Sequence, residues 1–266
     1  MSDQNSPEAA AFFSACAEGR LLEVQEVLRE ASDAKKQTLL DQEGTFKPDP
    51  DNRPNWEAKE KPLLAAAARG HGEVVKVLVE AWADPKAQNN DGWTALHWAS
   101  RRGRGEVVKL LVDMGADLEA QDNGGGTALH YATLNSHGEV VKHLVDKGAN
   151  LDAQDKLGWT ALQRAADNGH GEVVKLLVEK GANLEAQVEW EETALHRAAR
   201  VDGPPCTGPR VGAEGHGEVV KLLADGGANL DAQDKYGQTA LCMAAEKGHV
   251  EVAKLLVDKG ANLEAQ

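Results

Sequence analysis

The segment GHGEVVKLLVEKGANLEAQ at residues 169–187 governs the architecture of this chain, because nearly the same letters recur along it. The copy at 136–154 reads SHGEVVKHLVDKGANLDAQ and begins 33 residues earlier. A shorter block, such as TALQRAA at 160–166, precedes each copy. Self-similarity at a fixed period of this length is the signature of repeat architectures, in which stacked units bury one continuous core. Further copies of the longer segment begin at residues 70, 103, 215 and 248.

Each unit is predicted to form two short antiparallel helices. In one copy Thr94 is a favourable N-cap for the first helix, and Gly103 supplies a left-handed terminator. The second helix carries a wide apolar stripe that starts with Val107 and Val108, and Gly115 ends it. Helices of about seven to nine residues are marginal alone, because they cannot offset their ordering entropy without neighbours. The units must therefore stack, which predicts an all-α repeat solenoid.

The TALH block, the G-H turn, the EVVKLL run and the GANL motif at this spacing resemble ankyrin repeats. The resemblance covers residues 56–266 well, and a weaker copy precedes it. It implies an ankyrin-type stack of helix-turn-helix units with short β-hairpin tips. It also implies that the TALH histidine bonds the backbone of a neighbouring hairpin and that the Thr hydroxyl orients it. One departure is that Ala stands where ankyrin repeats usually carry Pro, as at Ala95, which suits a helix.

We predict a single solenoid over residues 8–266 after a disordered N-terminus at 1–7. Two stretches interrupt the period. The segment 31–60 has the Pro, Asp and Lys content of an exposed loop, and the Gly- and Pro-rich insert at 201–213 is expected to project as a mobile one. Each stretch is either a binding loop or an insertion that the protein surface tolerates. For the second stretch, an artefact of an unspliced gene model is a further alternative. The repeats then lie at about 8–30, 56–88, 89–121, 122–154, 155–187, 188–233 and 234–266, the first being degenerate.

Composition and charge exclude several classes of protein. No apolar run in the 266 residues approaches the roughly 18 that a membrane span needs, so we expect no membrane insertion. The N-terminus lacks a basic start followed by an apolar stretch, which predicts an intracellular protein of the cytoplasm or nucleus. The formal charge of −14 disfavours nucleic acid and favours a protein partner that presents basic groups. The three scattered cysteines fit reduced thiols.

The nine histidines invite a metal or acid–base hypothesis, but the repeat accounts for all of them except His143. Three fall in TALH blocks and five in G-H turns. No HExxH, CxxC or paired Cys/His spacing occurs, so we expect neither a metal nor a cofactor. A nucleophile elbow and a phosphate-binding loop are also missing, and the glycines at 124–126 belong to a repeat tip. The sequence therefore predicts a protein that is not an enzyme.

Aromatic and arginine residues concentrate where an ankyrin-like unit tolerates variation, at the hairpin tips and on the outer side of the first helix. Trp, Tyr and Arg dominate binding hot spots, although tip aromatics could instead pack against adjacent hairpins. Arg200 and Met243 lie beside them. Stacking would align these groups along one concave strip. We predict partner-binding roles on it for Trp93, Trp98, Arg101, Arg102, Tyr131, Trp159, Arg164, Trp190, Arg197 and Tyr236.

Our leading hypothesis is a non-enzymatic module that binds a partner protein through its concave hairpin-tip and inner-helix face, as ankyrin-like adaptors and scaffolds do. The alternative is the ligand-sensing repeat fragment of a larger multidomain signalling or receptor protein, because near-identical copies resemble long arrays in fungal receptors. The last outer helix, EVAKLLVDKG at 251–260, has the apolar residues of an internal copy. A solenoid end needs a polar cap, so we expect fraying, a longer array or association through that end.

Overall fold

The structure, a computed structural model, describes residues 7–46, 58–188, 190–200 and 213–264. These residues form short helices joined by turns, together with one two-stranded antiparallel sheet. The strands are β1 (Gly44–Phe46) and β2 (Ala58–Glu60). The helices are α1 (Pro7–Glu18), α2 (Leu21–Glu30), α3 (Asp33–Asp41), α4 (Pro62–Arg69), α5 (Gly72–Glu80), α6 (Ala95–Arg101), α7 (Gly105–Asp113), α8 (Ala128–Leu134), α9 (Gly138–Asp146), α10 (Ala161–Asp167), α11 (Gly171–Glu179), α12 (Ala194–Arg200), α13 (Ala213–Asp225), α14 (Ala240–Glu246) and α15 (Val250–Asp258).

The chain divides into two compact units, residues 1–123 and 124–266. In the first unit α4 packs on α1, α5 and α6, and α5 packs on α2 and α7. In the second unit α10 packs on α8, α11 and α12, while α13 packs on α11, α12 and α15. Within each unit the helix pairs therefore stack on one another, and the predicted all-α repeat solenoid is confirmed. A single solenoid over 8–266 remains a prediction.

The helices α6, α8, α10 and α14 each begin at the predicted Thr cap. The Thr94 hydroxyl accepts a hydrogen bond from the His97 backbone N–H at 3.3 Å, and His97 Nδ1 accepts one from the Thr94 backbone N–H at 3.0 Å. This reciprocal pair satisfies two N–H groups that a helix start otherwise leaves open. Leu96 is buried on this helix and Leu111 on the helix that follows. The apolar positions of the repeat thus form the core.

The repeat tips are turns closed by a backbone hydrogen bond, where the sequence suggested β-hairpins. At one tip the Asp155 N–H donates to the Trp159 carbonyl oxygen at 3.0 Å, and the Asp155 carboxylate accepts from the backbone N–H groups of Leu157 and Trp159. Neighbouring tips are joined by one backbone hydrogen bond, such as that from the Lys156 N–H to the Gly124 carbonyl oxygen at 2.9 Å. The tips therefore have fixed positions relative to the repeat beside them.

The prediction of a loop over residues 31–60 is wrong for the part of it that the structure describes. Residues 33–41 form α3, whose Leu39 and Leu40 are buried, and β1 pairs with β2 from Gly44 opposite Glu60. The buried Gln42 side chain donates to the Ala9 carbonyl oxygen at 2.6 Å. The Pro- and Asp-rich letters that suggested the loop lie at 47–57, outside the described residues. The N-terminal residues 1–6 and the insert residues 201–212 also lie outside them, whereas Pro7 and Ala213 begin helices.

Trp82 occupies a position that favours glycine. Its φ is 77°, and the equivalent residues of later repeats are glycines with φ between 86° and 96°, at 115, 148, 181, 227 and 260. A side chain in this left-handed region costs about 1 to 2 kcal/mol. The exposed indole has the Lys36 ammonium 5.4 Å from its ring centre. Trp82 is therefore retained at a cost in backbone strain.

We expect Trp82→Gly to have a free energy of unfolding roughly 1 kcal/mol above that of Trp82→Ala, because both variants lose the indole and only the first relieves the strain. Urea unfolding followed by circular dichroism measures the difference. The matched pair separates the backbone from the Lys36 contact. Equal stability of the two variants would show that the left-handed conformation is not strained here.

Candidate functional site

The three TALH histidines are buried, and one of them, His130, joins two neighbouring repeats. Its Nδ1 accepts a hydrogen bond from the Thr127 backbone N–H at 3.2 Å, and its Nε2–H donates to the Trp159 carbonyl oxygen at 2.9 Å. Because Nδ1 accepts, the ring is neutral with its hydrogen on Nε2. Burial lowers the pKa of His130, which keeps the ring in this neutral form.

His196 repeats the pattern two repeats further along the chain. Its Nδ1 accepts from the Thr193 backbone N–H at 3.2 Å, and its Nε2 bonds the Gln238 carbonyl oxygen at 3.1 Å. Burial lowers the pKa of this histidine as well. Both side chains therefore support the fold, as the resemblance implied.

Three of the five G-H histidines bond the preceding repeat. His71 Nε2 bonds the Ala17 carbonyl oxygen at 3.0 Å, His170 bonds that of Leu134 at 3.1 Å, and His216 bonds that of Asp167 at 3.2 Å. Each accepting carbonyl lies at or near the end of a first helix, where backbone oxygens lack helical partners. Burial lowers the pKa of His71 and His170. These histidines are therefore structural as well.

In the first unit the predicted contact residues form a packed cluster. Trp98 is only 1% exposed, and its ring centre lies 4.7 Å from that of the half-buried Trp93. The Arg101 guanidinium lies 5.4 Å from the Trp93 ring centre, and the half-buried Arg102 is the C-cap of α6. The expectation that the Trp98 ring is exposed is wrong, because the indole is buried beside Trp93, which removes its apolar surface from water. A partner-binding role for Trp98 remains a prediction.

In the second unit Trp159 is enclosed by two guanidinium groups. Those of Arg164 and Arg197 lie 4.6 and 4.3 Å from its ring centre, and Arg164 is ion-paired with Asp155. These contacts take up the ring surface that a partner would use for stacking. Tyr131 is half-buried, and its ring comes within 3.1 Å of the point that a Cβ on Gly126 would occupy. The Trp159 ring is therefore already in contact with two cations of this chain.

A buried carboxylate holds two of the arginines in the same unit. Glu192 bonds Arg197 at 2.5 Å and Arg200 at 3.1 Å, and the side chains of Glu192 and Arg197 are 5% and 10% exposed. Burial lowers the pKa of the Arg197 guanidinium, and the Glu192 charge acts in the opposite direction. An arginine nevertheless remains charged in a protein, so this is a true ion pair. The pair fixes Arg197 against Trp159.

A groove of about 430 Å³ opens beside this ion pair. Trp190 and Tyr236 are 40% and 65% exposed, and their ring centres are 5.9 Å apart. The Lys235 ammonium lies 3.5 Å from the Trp190 ring centre and 5.1 Å from that of Tyr236. The structure thus brings together three of the predicted residues, Trp190, Arg197 and Tyr236. We call this surface the 190/236 groove, and its walls include Trp190, Glu192, Arg197, Tyr236, Met243 and Glu246.

The groove arises where one repeat tip departs from the pattern. Val188 replaces the Asp155 of the preceding copy, and Glu191 has a φ of 60° at a position where Gly158 and Gly237 lie in other copies. The Lys235 N–H donates to the Trp190 carbonyl oxygen at 3.0 Å, which places the two tips side by side. Sequence reasoning missed Glu192, Lys235 and Glu246. The letters VEWEET contained a signal, since a carboxylate precedes the Thr only in that copy.

Two other classes of site are absent from the described residues. Within that part of the chain no helix is long and apolar enough to cross a membrane. The same residues contain no group of three or more His, Cys, Asp and Glu side chains that could hold a metal ion. The 190/236 groove is the candidate site because it brings two exposed aromatic rings beside a buried ion pair.

Stacked pairs of short helices with Thr caps and histidine-bonded tips define a helical repeat protein, and comparison with known proteins identifies the class. A family model described as ankyrin repeats (3 copies) matches residues 12–122, 63–155, 114–188, 150–207 and 210–266. This chain belongs to the ankyrin repeat family. The predicted resemblance is confirmed.

Solved structures agree with this assignment. The chain is 31% identical to an ankyrin repeat domain from Acinetobacter baumannii AYE, with a TM-score of 0.68. The match covers 76% of this chain and 98% of that one. No curated protein matches the chain. Ankyrin repeats are in general modules for protein–protein interaction, and the family is a non-enzymatic interaction fold.

Proposed function

We propose that this chain binds a partner protein and that the 190/236 groove is the docking site. The observation that carries the proposal is the meeting of two exposed aromatic rings with a charge-paired arginine in one concavity. Trp, Tyr and Arg are the residue types that dominate binding hot spots, particularly when they are held in a pocket. Trp190, Tyr236 and Arg197 supply all three.

The surroundings of the groove support a binding role because they are held in place. Arg197 is fixed between Glu192 and the Trp159 ring, and the Asp234 carboxylate accepts from the backbone N–H groups of Tyr236 and Gln238, at 2.8 and 2.9 Å. Side chains that are ordered before binding lose less conformational entropy when a partner arrives. The groove is thus preorganised.

The first unit offers a weaker candidate. Its large aromatic residues at the helix start, Trp93 and Trp98, are half-buried and buried, so most of their apolar area already contacts the protein. The net charge of −14 favours a partner with basic groups, and we propose that the encounter takes place in the cytoplasm or nucleus. We propose no enzymatic activity for the groove.

We expect the double variant Trp190→Ala with Tyr236→Ala to bind the partner at least tenfold more weakly, since a hot-spot residue contributes about 2 kcal/mol or more. Both side chains are exposed, so the fold should persist. Immobilised wild type, the double variant and Trp82→Ala are compared by quantitative affinity capture, followed by calorimetry on the captured protein. Trp82→Ala is the control, because it removes an exposed indole from the other unit. Equal capture by all three proteins would refute the groove.

A further inference from the structure

We infer that the Trp190 and Tyr236 rings form a receptor for a cationic side chain of the partner, and that Lys235 occupies this receptor in the free protein. The inference rests on the docking role proposed above and adds the chemistry of the ligand, which is an arginine or lysine side chain. It makes Lys235 an internal competitor of the partner.

The geometry is that of a cation held by two rings. The Lys235 ammonium lies 3.5 Å from the Trp190 ring centre and 5.1 Å from the Tyr236 ring centre, and the rings are 5.9 Å apart. Cations within about 6 Å of a ring centre are attracted by its negative face, and tryptophan provides the strongest attraction. The two rings therefore already bind one positive charge.

The resident lysine can be displaced. Among the described residues the Lys235 ammonium forms no ion pair with a carboxylate. Its attraction to the site therefore comes from the two aromatic rings. Lys235 is exposed, and its hydrogen bond to the Trp190 carbonyl oxygen is made by the backbone N–H, which stays in place when the side chain moves. An incoming cation replaces one ring contact with an equivalent one. The exchange thus leaves the tip intact.

The groove also offers a carboxylate to the incoming group. Glu246 is exposed on the wall of the groove, where it accepts a hydrogen bond from Gln238 at 3.2 Å and has capacity for more. A guanidinium stacks flat on a ring and binds a carboxylate through two parallel N–H groups, which an ammonium does not do. Arginine is therefore the preferred ligand.

Charges around the groove allow a cation to enter. Arg197 and Arg200 are both held by Glu192, which offsets part of their repulsion, and Asp234 adds a further carboxylate on the wall. Lys247 is the other cation on the wall. At longer range the net charge of −14 attracts basic groups and repels acidic ones. An acidic peptide is repelled both by this net charge and by the negative faces of the two rings.

The test is calorimetry on the full chain with a capped peptide of alternating Arg and Gly, and with the same peptide carrying Glu in place of Arg, at about 0.15 M salt to screen distant charges. We expect the Arg peptide to bind and the Glu peptide not to bind. Lys235→Ala should tighten its binding about threefold, because the internal competitor is gone. Lys156→Ala, which removes the same charge from the equivalent tip two repeats earlier, should leave affinity within about twofold.

A pair of substitutions tests the role of the ring. Trp190→Phe keeps a π face and should retain binding, whereas Trp190→Leu keeps apolar bulk without one and should lose it. The inference is overturned if the Glu peptide binds equally, if Lys235→Ala has no more effect than Lys156→Ala, or if the Leu variant binds as well as the Phe variant. A partner that depends on Trp190 and Tyr236 but does not compete with the Arg peptide would leave the docking role standing and overturn the cation assignment alone.

Discussion

Acidification from about pH 7.5 to about pH 5 is expected to lower the free energy of unfolding, mainly through the repeat histidines. Burial holds the pKa of His71, His130, His170 and His196 below the usual value of 6.5. As the pH falls through 6.5, the folded chain takes up fewer protons on these side chains than the unfolded chain does. Stability is therefore present above that pH and is lost below it, by up to about 1.4 kcal/mol per pH unit for each histidine.

Burial is the main cause of the lowered pKa of His130, and the hydrogen bond of its Nε2 to the Trp159 carbonyl oxygen acts in the opposite direction. Its Nδ1 accepts from the Thr127 N–H at 3.2 Å, so a proton on Nδ1 would set two donors against each other. His196 is in the same position with Thr193. His71 and His170 are only half-buried and should contribute less, because solvent stabilises their charged forms. Asp146, whose pKa is lowered from 3.8 by Lys180, affects stability only at more acidic pH.

The chain contains its own control for this prediction. Gln163 stands where three other copies have histidine, and its Oε1 accepts from the Thr160 N–H at 2.9 Å while its Nε2 donates to the Ala186 carbonyl oxygen at 2.7 Å. The double variant His130→Gln with His196→Gln should therefore fold and show a shallower dependence on pH. Urea unfolding at a series of pH values measures both slopes. If the variant retained the wild-type slope, the acid sensitivity would arise elsewhere.

The fold could be predicted from sequence because the residues within each repeat determine where its helices end and which of their faces are buried. Thr94 and Gly103 mark the ends of a helix by local chemistry, and Leu96 and Leu111 mark the buried faces, so no distant contact is needed. The ankyrin period then fixes which helix packs on which. The helix at 33–41 was missed because it lies outside the repeat period. Its buried Leu39–Leu40 pair was a weaker signal than the Pro- and Asp-rich residues that follow, which are typical of a loop.

The site was less predictable because burial at one repeat position depends on the neighbouring tip. Trp98 and Arg197 both follow a TALH histidine, yet Trp98 packs on Trp93 while Arg197 packs on Trp159 and Glu192. An alignment of the repeats does not show which neighbouring side chain each residue contacts. The exposed pair of Trp190 and Tyr236 likewise depends on how two tips approach each other, which is a property of the folded chain.

The Glu192→Ala variant is expected to lose about 3 kcal/mol of its free energy of unfolding, because it leaves the buried Arg197 guanidinium without its carboxylate. Arg197 is 10% exposed and is held between Glu192 and Trp159, so it cannot turn to water without losing the ring contact. Arg200 is more exposed and should be solvated when its partner is removed. Urea unfolding of wild type and variant gives the difference.

Glu191→Ala is the matched control for this experiment, since it removes the adjacent, exposed carboxylate at the same tip. Its effect should stay within about 0.5 kcal/mol, as for most surface substitutions. The double variant Glu192→Ala with Arg197→Leu should be more stable than Glu192→Ala alone, because replacing both charges leaves no buried ion unpaired. A loss below about 1 kcal/mol for Glu192→Ala would mean that solvent screens the pair, in which case the groove wall would not be preorganised by it.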